Sequence, residues 1–286
     1  MNIALCFCVR NCARYLKYIF LNIDRFRAIC PDVYCVFVYD NCTDNTAPIL
    51  FKYQQTYKNV IIKTIQNTDK NRTVRISKAR NKCLSIVYNE IPDVEYHMMI
   101  DCDNVNVMPW NINVLLYYLK LNHDWDCISF NRDDFYDIWA LLFDNYKQHC
   151  YGFGSKHIKK IIHIMKRDIC KKLKDCSTDS IEVISAFNGF SMYRTQKLKG
   201  CIYDGLYANT KLLTTDKDKY DTIDQFKKNN INLTINDNYV ECCEHIYYHL
   251  SALKNGCKIR LSKFDLFQPY TKNVSLDLKS IITKRN

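Results

Sequence analysis

The stretch YHMMIDCDN (96–104) decides how the rest of the chain is read. In it a short apolar run, Met98, Met99 and Ile100, stops at two aspartates one residue apart, Asp101 and Asp103. Four to eight apolar residues closed by polar punctuation predict a strand buried on both faces. Two carboxylates where such a strand emerges repel each other and resist desolvation unless positive charge neutralises them. Mn²⁺ or Mg²⁺ does so with one or two carboxylates, its other positions going to substrate phosphates and water. A polar strand-end turn is the competing reading, and the flanking sequence decides between the two.

Upstream, NIALCFCV (2–9) reads as a first strand, and Asn11 as the cap of a helix reaching Arg27. YCVFVYD (34–40) is a second buried strand, followed by the turn-and-cap run DNCTDNT (40–46) and a helix to Tyr57. NVIIKTI (59–65) is a third strand, a polar cationic stretch (67–78) follows, and ARNKCLSIVYN (79–89) is a helix before the strand 96–100. Strands alternating with helices predict an α/β fold, a mainly parallel sheet flanked by helices. Ligands of such sheets bind beyond the carboxyl ends of the strands. Asp40, Asn41, Asp101 and Asp103 all fall there.

Arg72, Arg75, Lys78 and Arg80 cluster just before the paired aspartates. Positive charge near a helix N-terminus opposes the macrodipole, which favours an anion-binding role over a solvated helix start. Arginine suits a diphosphate because its planar fork donates two parallel hydrogen bonds.

The second half is less regular. CISFNRDDFYDIWALL (127–142) combines a short strand, acidic residues (Asp133, Asp134, Asp137) and Trp139, a mixture suited to sugar hydroxyls and an apolar sugar face, with a core Trp beside surface acids as the competing reading. Residues 156–174 form an amphipathic helix with one apolar stripe and eight basic residues. Packing on its own domain with a solvated basic face is one reading, and peripheral docking on anionic lipid the other. SAFNGFSMYRTQKL (185–198) places Asn188 and Gly189 before a short strand. NYVECCEHIYYHLSALKNGCKIRL (238–261) opens a helix at Glu244 and His245, stops it at Asn255-Gly256 and resumes as a strand. The tail 271–286 is polar and basic.

Composition sets the outer limits. At 286 residues, with 48% hydrophobic and 25% charged residues, the chain is long enough for a substantial core. No apolar run approaches the ~18 residues of a membrane span, and MNIALCFCVRN lacks the features of a signal peptide. Its sixteen cysteines form no CxxC pair and several sit in strand-like runs, so free thiols in a reducing compartment such as the cytoplasm are expected. Cys242, Cys243, His245 and His249 are close enough in sequence for a zinc site, although adjacent cysteines strain tetrahedral chelation. A net charge of +11 favours anionic partners. Scarce glycine and proline beside abundant Ile, Lys, Asn and Tyr read as AT-rich coding bias, as in a large DNA virus, which would place the protein in the host cytoplasm.

With these landmarks in place, the chain over about residues 1–265 resembles nucleotide-sugar glycosyltransferases of the GT-A fold. In layout it is similar to their family 2 group and, in YDIWALL (136–142), to capsule-associated mannosyltransferases. The resemblance rests on DNCTDNT, Arg80-Asn81, DCDN, FNGFSMYR and the CEH triplet followed by Gly256, in that order. It implies one catalytic domain over 1–270, with a nucleotide-sugar-binding half (1–104) and an acceptor-binding half (105–270). It implies donor contacts from Val9, Asp40, Asn41, Arg75, Arg80, Asp101 and Cys102. Mn²⁺ or Mg²⁺ would sit on Asp103 with Asp101 and His245, and a UDP- or GDP-sugar would be the donor. A glycan, glycolipid or protein hydroxyl would be the acceptor, meeting Asp137, Trp139, Asn188 and Gly189.

Glu244 and His245 stand where the family has Glu-Asp, so the catalytic role at that position is open between base and metal ligand, and retention or inversion is open with it. A sugar-1-phosphate nucleotidyltransferase would need a glycine-rich loop after the first strand, and CFCVRNCAR has no glycine. A non-catalytic carbohydrate- or nucleotide-binding relative is the remaining alternative. No aromatic-basic motif points to nucleic acid.

Overall fold

A computed structural model describes residues 1–120, 124–132, 135–148, 157–233 and 239–267. The expected aspartates Asp133 and Asp134, Lys156 at the start of the expected basic helix, and the tail 271–286 lie outside the described residues. The first half runs β1 (Asn2–Val9), α1 (Ala13–Arg27), β2 (Val33–Asp40), α2 (Thr46–Thr56), β3 (Val60–Ile65), α3 (Arg72–Asn89) and β4 (Val94–Asp101). The second runs α4 (Ile112–Lys120), β5 (Cys127–Asn131), α5 (Ile158–Asp175), β6 (Ser180–Glu182), β7 (Phe190–Arg194), α6 (Tyr207–Lys211), α7 (Asp216–Lys227), α8 (Glu244–Lys254) and β8 (Ile259–Asp265).

These strands form one eight-stranded sheet in the order β3-β2-β1-β4-β7-β5-β8-β6. The strands β3, β2, β1 and β4 pair in parallel. β7 enters antiparallel between β4 and β5, β8 pairs in parallel with β5, and β6 closes the edge antiparallel. The fold is therefore mixed α/β with a mostly parallel sheet flanked by helices. Alternate side chains of each strand point to opposite faces, so the sheet needs cover on both sides. On one face Ile3, Leu5 and Phe7 meet Leu16, Ile19 and Ile23 of α1 and Leu115 of α4. On the other, Ala4 and Cys6 join Cys83 and Val87 of α3, Ile161 and Ile169 of α5 and Ile246 of α8.

From β1 the chain moves to β2 and β3 on one side and then returns to β4 on the other. The strand order reverses between β1 and β4, and a crevice opens beyond their carboxyl ends. The loop after β4 is held from below by Asn22, a buried residue of α1. Its amide donates to the carbonyls of Asn106 (3.1 Å) and Met108 (2.8 Å), and its oxygen accepts from Trp110 N (3.1 Å).

Three expectations need correction. Asn11 does not cap α1; it adopts φ +52°, and its oxygen accepts from Thr43 N at 2.8 Å. The start of α1 is satisfied by the segment after β2 instead, with Cys12 N on Thr46 Oγ1 (2.8 Å) and Ala13 N on Asp44 Oδ2 (3.1 Å). α3 begins at Arg72 rather than at residue 79, so the cationic stretch is mostly helix. Its buried residues over 72–78 are Thr73 and Ser77, which show no apolar period. The zinc alternative also fails. Both ring nitrogens of His249 face other partners, Ser185 Oγ at 3.0 Å and Tyr193 OH at 3.4 Å.

The apolar stripe of α5 lies in the protein's own core. Lys159, Lys160, Lys171 and Lys174 remain on its exposed side. No helix among the described residues is long and apolar enough to cross a membrane. All cysteines among the described residues are free thiols.

Candidate active site

At the strand-order reversal lies an open cleft of about 440 Å³, within the ~300–1,000 Å³ range of small-molecule sites. The ends of β1 and β2 contribute Val9 and Asp40, and β4 with its following loop contributes Asp101, Cys102 and Asp103. Arg75 and Arg80 come from α3, Asp137 and Trp139 from the segment after β5, and Glu244 and His245 from the start of α8. Eleven of the fourteen expected residues thus border one space.

Asn41, Asn188 and Gly189 do not border it. The amide of Asn41 donates to Asn67 O at 3.3 Å. Asn188 is buried behind the wall, donating to Phe130 O (3.1 Å) and accepting from Asp137 N (3.4 Å). The carbonyl of Gly189 accepts from Asp101 N (3.0 Å) and from the Asn106 amide (2.9 Å). These contacts give Asn188 and Gly189 the work of fixing Asp137 and Asp101.

Arg80 is the centre of the cleft's electrostatics. It is 4% exposed, donates from Nε to Glu244 Oε1 (2.9 Å) and from Nη2 to Asp101 Oδ1 (3.0 Å), and lies 4.7 Å above the Phe187 ring. Burial works against its charge, but Glu244 and Asp101 outweigh that and hold its pKa above the usual value. Its remaining amino group, Nη1, is buried without a partner. The second oxygen of Asp101 accepts from Tyr136 OH at 3.2 Å.

His245 presents the opposite situation. Its ring stacks on Phe187 with centroids 3.6 Å apart, it is 1% exposed, and neither ring nitrogen has a hydrogen-bond partner. The nearest Glu244 oxygen is 3.7 Å from Nε2, outside hydrogen-bond range. Burial, then the charge of Arg80, pushes its pKa well below the usual histidine value, so the imidazole is neutral. Unsatisfied nitrogens at such depth are costly in an apolar wall and natural in one that receives a ligand.

The carboxylates differ in their engagement. Asp103 Oδ1 accepts from Val105 N (2.9 Å), capping the short 3₁₀ turn Asn104–Asn106, and Asp40 Oδ1 accepts from Asn67 N (3.3 Å). Asp137 caps another 3₁₀ turn by accepting from Ala140 N (3.3 Å). Burial, reinforced by the negative charges of Asp101 and Glu244, pushes its pKa up to about 7. The guanidinium of Arg75 donates to the Asp69 and Lys70 carbonyls (2.7 and 2.9 Å), which stiffens the loop before α3.

Among the described residues no three His, Cys, Asp or Glu side chains converge on one point, so these residues form no all-protein metal cage there. What the cleft offers a cation is the Asp103 carboxylate and the unpartnered nitrogens of His245. That donor set fits a hard divalent ion bound by one or two protein ligands and completed by substrate phosphate. It does not fit a structural zinc, which takes four protein ligands.

Sequence reasoning passed over several residues of the wall. Tyr136, Phe187, Cys8, Cys12 and Arg10 all border the cleft, as does Cys243, which the sequence offered only as a zinc ligand. Tyr136 and Phe187 lie inside motifs already singled out, YDIWALL and FNGFSMYR, and carried no separate signal. Arg10 follows β1 directly, and its place at a strand's carboxyl end was the one available hint.

No protein-family model matches the chain, and no curated protein matches it. Among solved structures it is similar to S. aureus TarS 1–349 in complex with UDP-GlcNAc, at 15% identity and a TM-score of 0.46, covering 98% of this chain and 61% of that one. It is similar to the mannosyltransferase PcManGT from Pyrobaculum calidifontis in complex with GDP-Man and Mn²⁺, at 11% identity and a TM-score of 0.42, covering 71% and 47%. A galactosyltransferase, LgtC, in complex with donor and acceptor sugar analogs is matched at 12% identity and a TM-score of 0.38, covering 91% and 73%. The chain thus spans about three fifths of the TarS piece.

Proposed function

We propose that this chain is a GT-A glycosyltransferase that moves a sugar from a UDP- or GDP-sugar to a hydroxyl of a glycan, lipid or protein. The observation that carries the proposal is the convergence at the β1/β4 reversal. There the paired aspartates meet a buried arginine with one unpaired amino group and a neutral, unpartnered histidine across one cleft.

In this reading residues 1–104 hold the donor. Val9 and Asp40 flank the nucleoside at the strand ends, with Asn41 supporting the turn. Asp103 and His245, with Asp101 beside them, would hold Mn²⁺ or Mg²⁺, which when bound neutralises charge on the diphosphate as a Lewis acid. Arg80 donates Nη1 to the diphosphate, its orientation fixed by Glu244 and Asp101. Cys102 contributes backbone close to the donor, and Arg75 holds the loop at the cleft mouth. Residues 105–270 supply the acceptor side, where Trp139 offers a ring to a sugar face and Asp137 an oxygen to its hydroxyls. Free thiols suit a reducing compartment such as the cytoplasm. Any contact with anionic lipid would rest on the exposed lysines of α5.

The test is a screen of UDP- and GDP-sugars for hydrolysis and transfer by the wild-type chain and Asp103→Asn, with Mn²⁺ or Mg²⁺ present. Asparagine keeps the cap on Val105 N, so the expected result is at least ~10³-fold lower turnover at nearly unchanged stability. Undiminished turnover by Asp103→Asn in chelator would rule the scheme out.

A further inference from the structure

Five carboxylates border the cleft: Asp40, Asp101, Asp103, Asp137 and Glu244. Four have structural duties there. Asp101 and Glu244 hold Arg80, Asp40 anchors Asn67 N, and Asp103 caps the turn after β4. Asp137 caps a turn too, through Ala140 N, but it lies after β5, on the side given above to the acceptor, whereas Asp40 and Asp103 stand at the strand ends given to the donor. Among the described residues no cation pairs with it, and one of its oxygens has no donor at all. Among the described residues the other accepts only from Ala140 N. Its backbone is nevertheless rigid, because Asp137 N donates to Asn188 Oδ1 and Asn188 is itself tied to Phe130 O. Tyr136 and Trp139 border the cleft on either side of it.

Resting on the transferase reading above, we propose that Asp137, rather than Glu244 or His245, takes the proton of the acceptor hydroxyl. The carboxylate accepts that proton as the hydroxyl oxygen bonds to the anomeric carbon of the donor sugar. The bond from that carbon to the diphosphate oxygen breaks, and its electron pair leaves with the nucleoside diphosphate. Asp137, now a carboxylic acid, returns its proton to solvent after the product departs. Attack assisted in this way comes from the side opposite the diphosphate, so the anomeric configuration inverts.

Glu244 is unsuited to the task. Its carboxylate is 4% exposed and locked on Arg80, and protonating it would remove the arginine's main counter-charge. His245 has two unpartnered nitrogens but is stacked flat on Phe187 at 1% exposure, which suits a ligand to a cation better than a base meeting a mobile hydroxyl.

The groups facing Asp137 are Asp101 of β4, Arg80 of α3, and Cys243 and Glu244 at the start of α8. The two carboxylates favour its protonated form, the arginine opposes it, and the buried Cys243 stays a neutral thiol. A carboxyl poised near 7 is well matched to proton transfer at neutral pH.

The experiment uses the full chain with whichever nucleotide sugar it turns over and methyl glycosides as acceptors. Asp137→Asn keeps the Ala140 cap and is expected to lower kcat by about 10²–10⁴-fold. Thermal shifts by UDP or GDP should stay within about two-fold of wild type in apparent affinity. The acid limb of the wild-type pH profile should vanish in Asp137→Asn, and formate should restore part of the activity of Asp137→Ala. NMR of the product should show inversion. Near-wild-type kcat in Asp137→Asn, a retained acid limb, absent formate rescue or a retained anomer would each overturn the assignment while leaving the transferase reading intact. No turnover of any nucleotide sugar and no shift by UDP or GDP in the wild type would overturn both.

Discussion

Replacing Arg80 by methionine is the most informative single perturbation of this fold. Methionine matches the length of the aliphatic stem and keeps contact with Phe187, so the change isolates the guanidinium. In the wild type that group lies 2.9 Å from Glu244 and 3.0 Å from Asp101, with side-chain exposures of 5% for Arg80, 6% for Glu244 and 26% for Asp101. Removing one partner of a buried pair costs about 3–5 kcal/mol, because the other charge stays buried and uncompensated. The better-solvated Asp101 adds little to this, and loss of the cation–π contact adds about 0.5–1 kcal/mol. About 4 kcal/mol is therefore expected, or a fall in Tm of roughly 8–16 °C for a domain near this size. Urea unfolding at pH 7, followed by circular dichroism, measures it. Arg80→Met combined with Glu244→Gln should recover at least about 1.5 kcal/mol relative to the sum of the two single changes. A loss below about 1 kcal/mol, or strict additivity, would refute the claim that Arg80 and Glu244 form one buried unit.

Two other outcomes test the surroundings of the cleft. Gly189 has φ +87°, and a Cβ there would lie 2.4 Å from Val105 Cγ1 and 3.0 Å from Tyr136 OH. Gly189→Ala is thus expected to cost about 2–4 kcal/mol in urea unfolding, and a loss under about 0.5 kcal/mol would contradict the close packing. His97 and His249 are held by burial at pKa values of about 3. Their folded values lie below the unfolded one, so their contribution to stability is complete above about pH 6.5 and declines as pH falls toward 3, by up to ~1.4 kcal/mol per pH unit for each histidine. His249→Gln should remove about one proton's worth of that slope between pH 6 and pH 4, and an unchanged slope would show that His249 already titrates normally.

The four parallel strands were legible because each is an apolar run closed by turn residues, and their order placed Asp40 and Asp101 at one end of the sheet. The first two turns of α3 were not, because they bury polar side chains whose partners are remote. Thr73 Oγ1 donates to Gly205 O at 2.8 Å, and Thr73 N donates to Glu241 Oε1 at 2.9 Å. No local period announces contacts of that kind. The same holds within the cleft. Asp137 and Glu244 were both visible as acids near interesting company, but which of them meets a buried arginine depends on tertiary placement alone. Asn188-Gly189 was legible as the lead-in to a short strand and was expected against the acceptor, not as the brace that fixes Asp137 and Asp101 from behind.

One pairing in this molecule joins chain segments made far apart in time. Arg80 and Glu244 stand 164 residues apart, and β8, the last described strand, slots between β5 and β6. Pairings of such separation pay their loop-closure entropy before they return any stability, so they form late. A ribosome that has released only the first half of the chain has exposed strands able to pair, but no cleft. On the transferase reading, a working cleft would therefore have to wait until the segment through β8 has emerged.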